Sequence, residues 1–205
     1  MKTYLHSIPL PPRVLSEEEQ ATLLALTGQR RGAFRDHLLI SLAFATALRE
    51  HELVALDVGD VADESGKIRP RLKLRVFKRS SPKPASQEVP LSETARVKLA
   101  KFLTWKKSHG QSLAPDAPLF VSRINRRLST RQVRHLFKVW QVRAGFERPY
   151  PFHSTRHSCC TNIYRQTKDL LLVMRLARHK SVVSSLRYSH PSEADLLKAL
   201  QRVPC

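Results

Sequence analysis

The sequence predicts an α+β domain, mainly α, with one small antiparallel β-sheet. Three observations lead there. Serine-initiated capping signals stand ahead of segments whose apolar residues repeat at helical spacing. Only one stretch, around residues 68–76, alternates with the period of a strand. The chain has 205 residues, 41% of them apolar, enough for a sizeable core.

The elements follow in order. Residues 1–14 read as an extended lead-in. Ser16 and Glu19 form a capping box, so a helix should follow, with Leu23, Leu24 and Leu26 on its apolar side. A second helix is expected over 35–46 and a third over 49–56, with Leu53 and Leu56 inward. In the alternating stretch Ile68, Leu72, Leu74 and Val76 share one parity, and Arg69, Arg71, Lys73 and Arg75 the other. Pro70 is its one irregular member. This predicts a strand with one buried face. Two prolines and three serines make 79–86 a turn, and 88–91 a short returning strand. Ser92 caps a helix reaching about Lys107, and 115–118 is a loop. Ser129 and Gln132 form a second capping box, ahead of Val133, Leu136, Phe137 and Trp140 at helical spacing. Further helices fit 154–166, 169–177, 181–186 and 192–202. No internal repeat is visible.

Charge supplies the first functional clue. There are 36 Lys and Arg against 17 Asp and Glu, a net +19. Residues 122–188 hold 15 of the basic residues against Glu147 and Asp169, a net +13. Such a concentration suits a polyanionic partner, although a basic solvated surface would account for charge alone. No apolar run approaches the ~20 residues of a membrane span. The proline-bearing residues 1–13 do not read as a secretory signal. Cys159, Cys160 and Cys205 show neither CxxC nor metal-ligand spacing, which fits a reducing cytoplasm and, with the basic charge, a nucleoid-associated protein.

Breaking a phosphodiester without a metal needs a nucleophile, positive charge on the phosphoryl oxygens and a proton for the leaving oxygen. The sequence has no HExxH, no GxxxxGK[ST] and no acidic metal cluster, so no metal or cofactor is expected. Phosphate chemistry would rest on arginines, imidazoles and a hydroxyl, and the planar arginine fork suits two phosphate oxygens at once.

Four segments carry such groups: Ala47-Leu48-Arg49-Glu50-His51-Glu52-Leu53, His153-Ser154-Thr155-Arg156-His157, Ala177-Arg178-His179-Lys180-Ser181, and Tyr188-Ser189-His190, whose tyrosine is nine residues after His179. Singly, each has a plain structural explanation: a surface ion pair, a solvated helix face, a core histidine, a packing aromatic. In this order and spacing they resemble the phage-integrase, or tyrosine recombinase, family over residues 15–200.

That resemblance implies the tyrosine recombinase catalytic-domain fold over 15–205; relatives usually carry a separate N-terminal DNA-clamping, core-binding domain, and with only a short lead-in ahead of Ser16 none is expected here. The chain would be a compact single-domain member or a fragment. The implied activity is site-specific DNA recombination through a 3′-phosphotyrosine. Tyr188 would attack the phosphate, Arg49 and Arg156 would clamp it, and His179 would bond a non-bridging oxygen. His153 would assist proton transfer at the tyrosine. Glu52 would orient His153 or Arg49. A lysine between the two strands would protonate the leaving 5′-oxygen; Lys78 is the first choice and Lys83 its rival. Ala177-Arg178 stand where Leu-Gly is usual, a departure expected to be harmless. The implied partners are double-stranded DNA, further copies of the chain in a homo-oligomer (a tetramer on DNA), and an accessory DNA-bending protein. The helix at 194–200 would dock on a neighbour or on its own core. Integration, excision, inversion and resolution stay open. The rivals are a non-catalytic DNA-binding relative and a type IB topoisomerase-like relaxase.

Overall fold

The computed structural model describes residues 11–30, 32–74, 87–189, 197, 200 and 201. Lys78, Lys83 and most of the expected last helix lie outside them. The elements run α1 Glu17–Gln29, α2 Phe34–Thr46, α3 Glu50–Ala55, α4 Val58–Val61, β1 Arg71–Leu74, β2 Gln87–Pro90, α5 Glu93–Ser108, α6 Thr130–Arg143, α7 His153–Thr167, α8 Leu170–Ala177 and α9 Val183–Leu186.

The capping signals act as expected. Ser16 Oγ accepts from Glu19 N at 3.1 Å while Glu19 Oε2 accepts from Ser16 N at 2.7 Å. Ser129 and Gln132 do the same ahead of α6, whose buried side includes Val133, Leu136, Phe137 and Trp140. On α1 the buried stripe is Gln20, Leu23 and Thr27, whereas Leu24 and Leu26 are only partly buried. The two polar members are satisfied: Gln20 Nε2 donates to Leu15 O at 2.9 Å and Thr27 Oγ1 to Leu23 O at 2.7 Å. A buried polar group costs little once bonded, so composition alone misplaced this face.

Helix α2 is the hub. Leu38, Leu39, Ile40, Leu42 and Ala43 are all buried, and it packs against α1, α5 and α7. The strands pair antiparallel, with Leu72 opposite Val89, both buried. The described strand is shorter than the alternation. Ile68 bridges Ala62 instead, and Pro70, which lacks an N–H, uses its carbonyl to accept from Leu91 N. The short α4 was not expected. Asp60 Oδ2 accepts from Asp57 N at 2.8 Å, and Val58 N and Gly59 N donate to Ala117 O and Pro115 O. A Cβ at Gly59 would lie 2.9 Å from Pro115 O, so only glycine lets the backbones approach this closely.

A second, smaller core lies beside the main one. Ala47, Cys159, Cys160, Val173, Ala177 and Tyr188 form it at the junction of α2, α7 and α8. The candidate catalytic groups surround this cluster.

Candidate active site

Two turns and one helix build the site. Helix α2 ends at Ala47 with φ 49°, a left-handed turn that sends Leu48 into the core and leaves Arg49 as the extended N-cap of α3. Helix α8 ends at Arg178 with φ 54° and ψ 46°, placing His179 just beyond it. Each left-handed residue bearing a side chain costs about 1–2 kcal/mol. Arg156 of α7 offsets that cost, because its guanidinium donates to both Ala47 O and Ala177 O. It is only 2% exposed. One buried arginine therefore ties together the turns that present Arg49 and His179.

On α7 the residues His153, Arg156, His157 and Cys160 recur at i, i+3, i+4 and i+7, which puts them on one helix face. The first turn starts at Phe152, locked edge-on against Phe137 of α6 at 5.3 Å between ring centroids. His153 opens into a cleft of about 560 Å³ lined also by Arg49, Glu50, Arg134, Lys138 and Tyr150. Tyr150 is fixed from outside: Arg13 stacks 3.9 Å over its ring and its hydroxyl donates to Glu19 at 3.0 Å.

Tyr188 is 5% exposed, and its hydroxyl lies 2.8 Å from His157 Nδ1. The His153 ring meets the His157 ring edge-on at 4.5 Å. His179 lies nearly parallel to the Tyr188 ring at 6.2 Å, with its Nδ1 2.8 Å from Ser185 Oγ. The expected residues Arg49, His153, Arg156, His179 and Tyr188 are thus brought together. Glu52 is bonded to Arg49, not to His153: Oε1 accepts from Arg49 Nη1 at 2.9 Å and Oε2 from Arg49 N at 2.7 Å. The sequence assigns no role to His157 or Arg178. The i+4 spacing from His153 could have found His157. No local pattern marks a buried ion pair between residues 52 and 178.

The electrostatics are those of an anion site. Burial, then the charges of neighbouring arginines and histidines, push His157 and His179 down to about 4, so both are neutral at pH 7. His153 shifts the same way, through lost hydration and then Arg156 and Arg49. Burial raises the Tyr188 phenol well above its ordinary range, while Arg156 and Arg187 pull against that. Burial works to raise Glu52 as well, yet Arg178 and Arg49 outweigh it and hold the carboxyl below its ordinary value. Glu50, the nearby second carboxylate, is engaged by Arg134. The arrangement favours an incoming negative group: neutral imidazoles and a phenol are held in a field of arginines.

The order of helices about this site, with the two-stranded sheet, is that of the catalytic domain of tyrosine recombinases. The crystal structure of XerA recombinase superposes with a TM-score of 0.77 over 96% of this chain and 68% of that one, at 23% identity. XerH recombinase bound to its difH substrate gives 0.72 over 95% of this chain and 55% of that one, at 22% identity. In sequence, the tyrosine recombinase XerC of Vibrio parahaemolyticus is 29% identical over 180 residues, which are 87% of this chain and 54% of the relative. XerD of Oceanobacillus iheyensis is 28% identical over 187 residues, 90% of this chain and 60% of the relative. The profile of the phage integrase family matches residues 13–195, and the chain belongs to that family. It spans little more than half the length of these curated relatives.

Proposed function

We propose that this domain cleaves and rejoins duplex DNA at specific sites through a 3′-phosphotyrosine on Tyr188. The observation that carries the reading is the gathering of Arg49, Arg156, His153, His157 and His179 around the small core that holds Tyr188, whose hydroxyl lies 2.8 Å from His157 Nδ1. The phenol oxygen attacks phosphorus, a new P–O bond forms, and the bond to the 5′-oxygen breaks. The phenol proton passes to a neutral imidazole. The 2.8 Å contact supports His157 as the first acceptor and His153, ring to ring with it, as the next link, where the family resemblance assigns His153 alone. Arg49 and the N–H groups that Arg156 does not spend on the two carbonyls stabilise the charged transition state, because an arginine has five such donors. His179, with Nδ1 on Ser185, keeps Nε2 for a non-bridging oxygen. The lysine at 78, or at 83, returns a proton to the leaving 5′-oxygen. Attack by a 5′-hydroxyl on the phosphotyrosine reverses every step and reseals the strand.

Strand exchange between two duplexes needs several such sites, so the active form is a tetramer on DNA, with a DNA-bending accessory protein as a further partner. Exposed Leu171 and Leu172 on α8 support a protein contact there. The basic side chains at the cleft mouth, Arg134 and Lys138 on α6, support contact with the DNA backbone. A nucleoid-associated cytoplasmic setting follows from the same reading, and no helix among the described residues is long and apolar enough to cross a membrane.

The test is a two-site recombination assay run beside relaxation of a supercoiled plasmid, both in excess EDTA, since arginines supply the positive charge. Exchange of strands between sites, in complexes sized as tetramers, is expected. Relaxation without exchange would point to a topoisomerase-like enzyme, and binding without either reaction to a non-catalytic relative.

A further inference from the structure

We propose that Arg178 is a positioning residue of the cleavage site: it grips Glu52, and through Glu52 it sets Arg49. This rests on the phosphotyrosine reading above.

The geometry is specific. Arg178 Nη2 donates to Glu52 Oε2 at 2.5 Å, and the two side chains are 9% and 7% exposed. The same carboxylate takes the Arg49 backbone N–H and Nη1. One buried carboxylate thus collects three donors from two arginines, one of them 126 residues away in sequence. The Arg49 side chain is far more open, at 36%. Half-exposed arginines sample many rotamers, and holding one costs entropy unless its partner is itself fixed. Arg178 is what fixes the partner.

The backbone gives no reason for arginine at this position. With φ 54° the residue occupies the left-handed region, which glycine enters freely and other residues do not. A glycine there would relax the turn and delete the Glu52 contact. Keeping a strained arginine makes sense only through its side chain. Its second bond, Nη1 to Leu176 O at 3.2 Å, keeps the guanidinium folded back over its own turn. The turn that carries His179 and the helix end that carries Arg49 then move as one unit. A displacement of about 1 Å at a reacting centre can cost ~100-fold in rate.

Glu52 is faced by Arg178, Arg49 and, more distantly, Arg156. Removing Arg178 leaves burial less opposed, so the carboxyl should titrate at a higher pH. The experiment compares the wild-type chain with Arg178→Gly, Arg178→Lys, Glu52→Gln and the double variant Glu52→Gln/Arg178→Gly. Adduct formation on a nicked DNA substrate is followed under saturating, single-turnover conditions. The Glu52 carboxyl is followed by ¹³C NMR. Arg178→Gly exchanges the relieved strain of the turn for the lost ion pair; at temperatures where its melting curve shows it folded it should form adduct about 10-fold more slowly, with DNA affinity little changed. Lysine should restore part of the rate. Glu52 should titrate at higher pH in the glycine variant, and the double variant should be no slower than Glu52→Gln alone. A wild-type rate in Arg178→Gly, multiplying effects in the double variant, or an unmoved Glu52 titration would overturn the proposal. If the wild-type chain itself forms no adduct, the phosphotyrosine reading fails, while the Glu52 titration still decides the pairing.

Discussion

Arg156 shows how one buried side chain can hold a site together. Its bonds to Ala47 O and Ala177 O hold two left-handed turns, and those turns present Arg49 and His179. The site is therefore assembled before an anion arrives, which is the condition for electrostatic stabilisation of a transition state without reorganisation. Assembly has a cost in pH tolerance. His157 and His179 are held neutral with values near 4, below the ordinary 6.5. Between those limits the unfolded chain binds protons that the folded chain does not, so stability rises with pH there and falls on acidification. Glu52, lowered by its arginines, adds to the loss in the same direction as pH drops through its folded value. Calorimetric melting should therefore show Tm falling steadily from pH 6.5 to 4, with a shallower fall in His157→Gln. Parallel curves for the two proteins would contradict the buried neutral assignment. At this scale the sequence was partly legible. The four segments, through their resemblance to the phage-integrase family, marked most of the groups that the fold brings together. The Tyr188–His157 contact and the Arg178–Glu52 pair were not legible, since each depends on how distant turns pack.

The elements position the site through ordinary packing, and α6 is the clearest case. Its apolar spacing named the four large buried residues, and Phe137 meets Phe152 directly before His153. Phe137→Ala should lower stability by about 3–5 kcal/mol. It should also slow adduct formation at temperatures well below its melting point, because the first turn of α7 loses its support. A urea titration beside single-turnover cleavage checks this; a destabilised variant that cleaves at the wild-type rate would uncouple α6 from the site. Helix α1 was read less well, because its buried stripe uses Gln20 and Thr27, whose backbone bonds a hydropathy pattern does not register. The β1–β2 connection, residues 75–86, holds both candidate general acids. A 5′-bridging phosphorothiolate provides a leaving group that needs no proton. Lys78→Ala should be severely slowed on ordinary DNA and rescued on that substrate, while Lys83→Ala should show no selective rescue. The reverse pattern would assign the proton to Lys83.

Across the whole molecule, the fold class was legible because helical and strand periods rarely coincide in one segment, and here they separate cleanly. The excess of positive charge lies in the half that contains α6 to α9, the half that also lines most of the cleft and holds Tyr188. Charge alone allowed a merely soluble surface; the site inside it gives the charge a direction. Every step proposed for this site requires Tyr188 to become covalently joined to DNA. The most direct measurement is mass spectrometry of the peptide–nucleotide adduct trapped on a nicked duplex, for the wild-type chain and for Tyr188→Phe. A 3′-phosphoryl nucleotide should be found on Tyr188 in the wild-type chain, with normal DNA binding and no adduct in the phenylalanine variant. An adduct on any other residue, or one that survives denaturant in Tyr188→Phe, would contradict this mechanism.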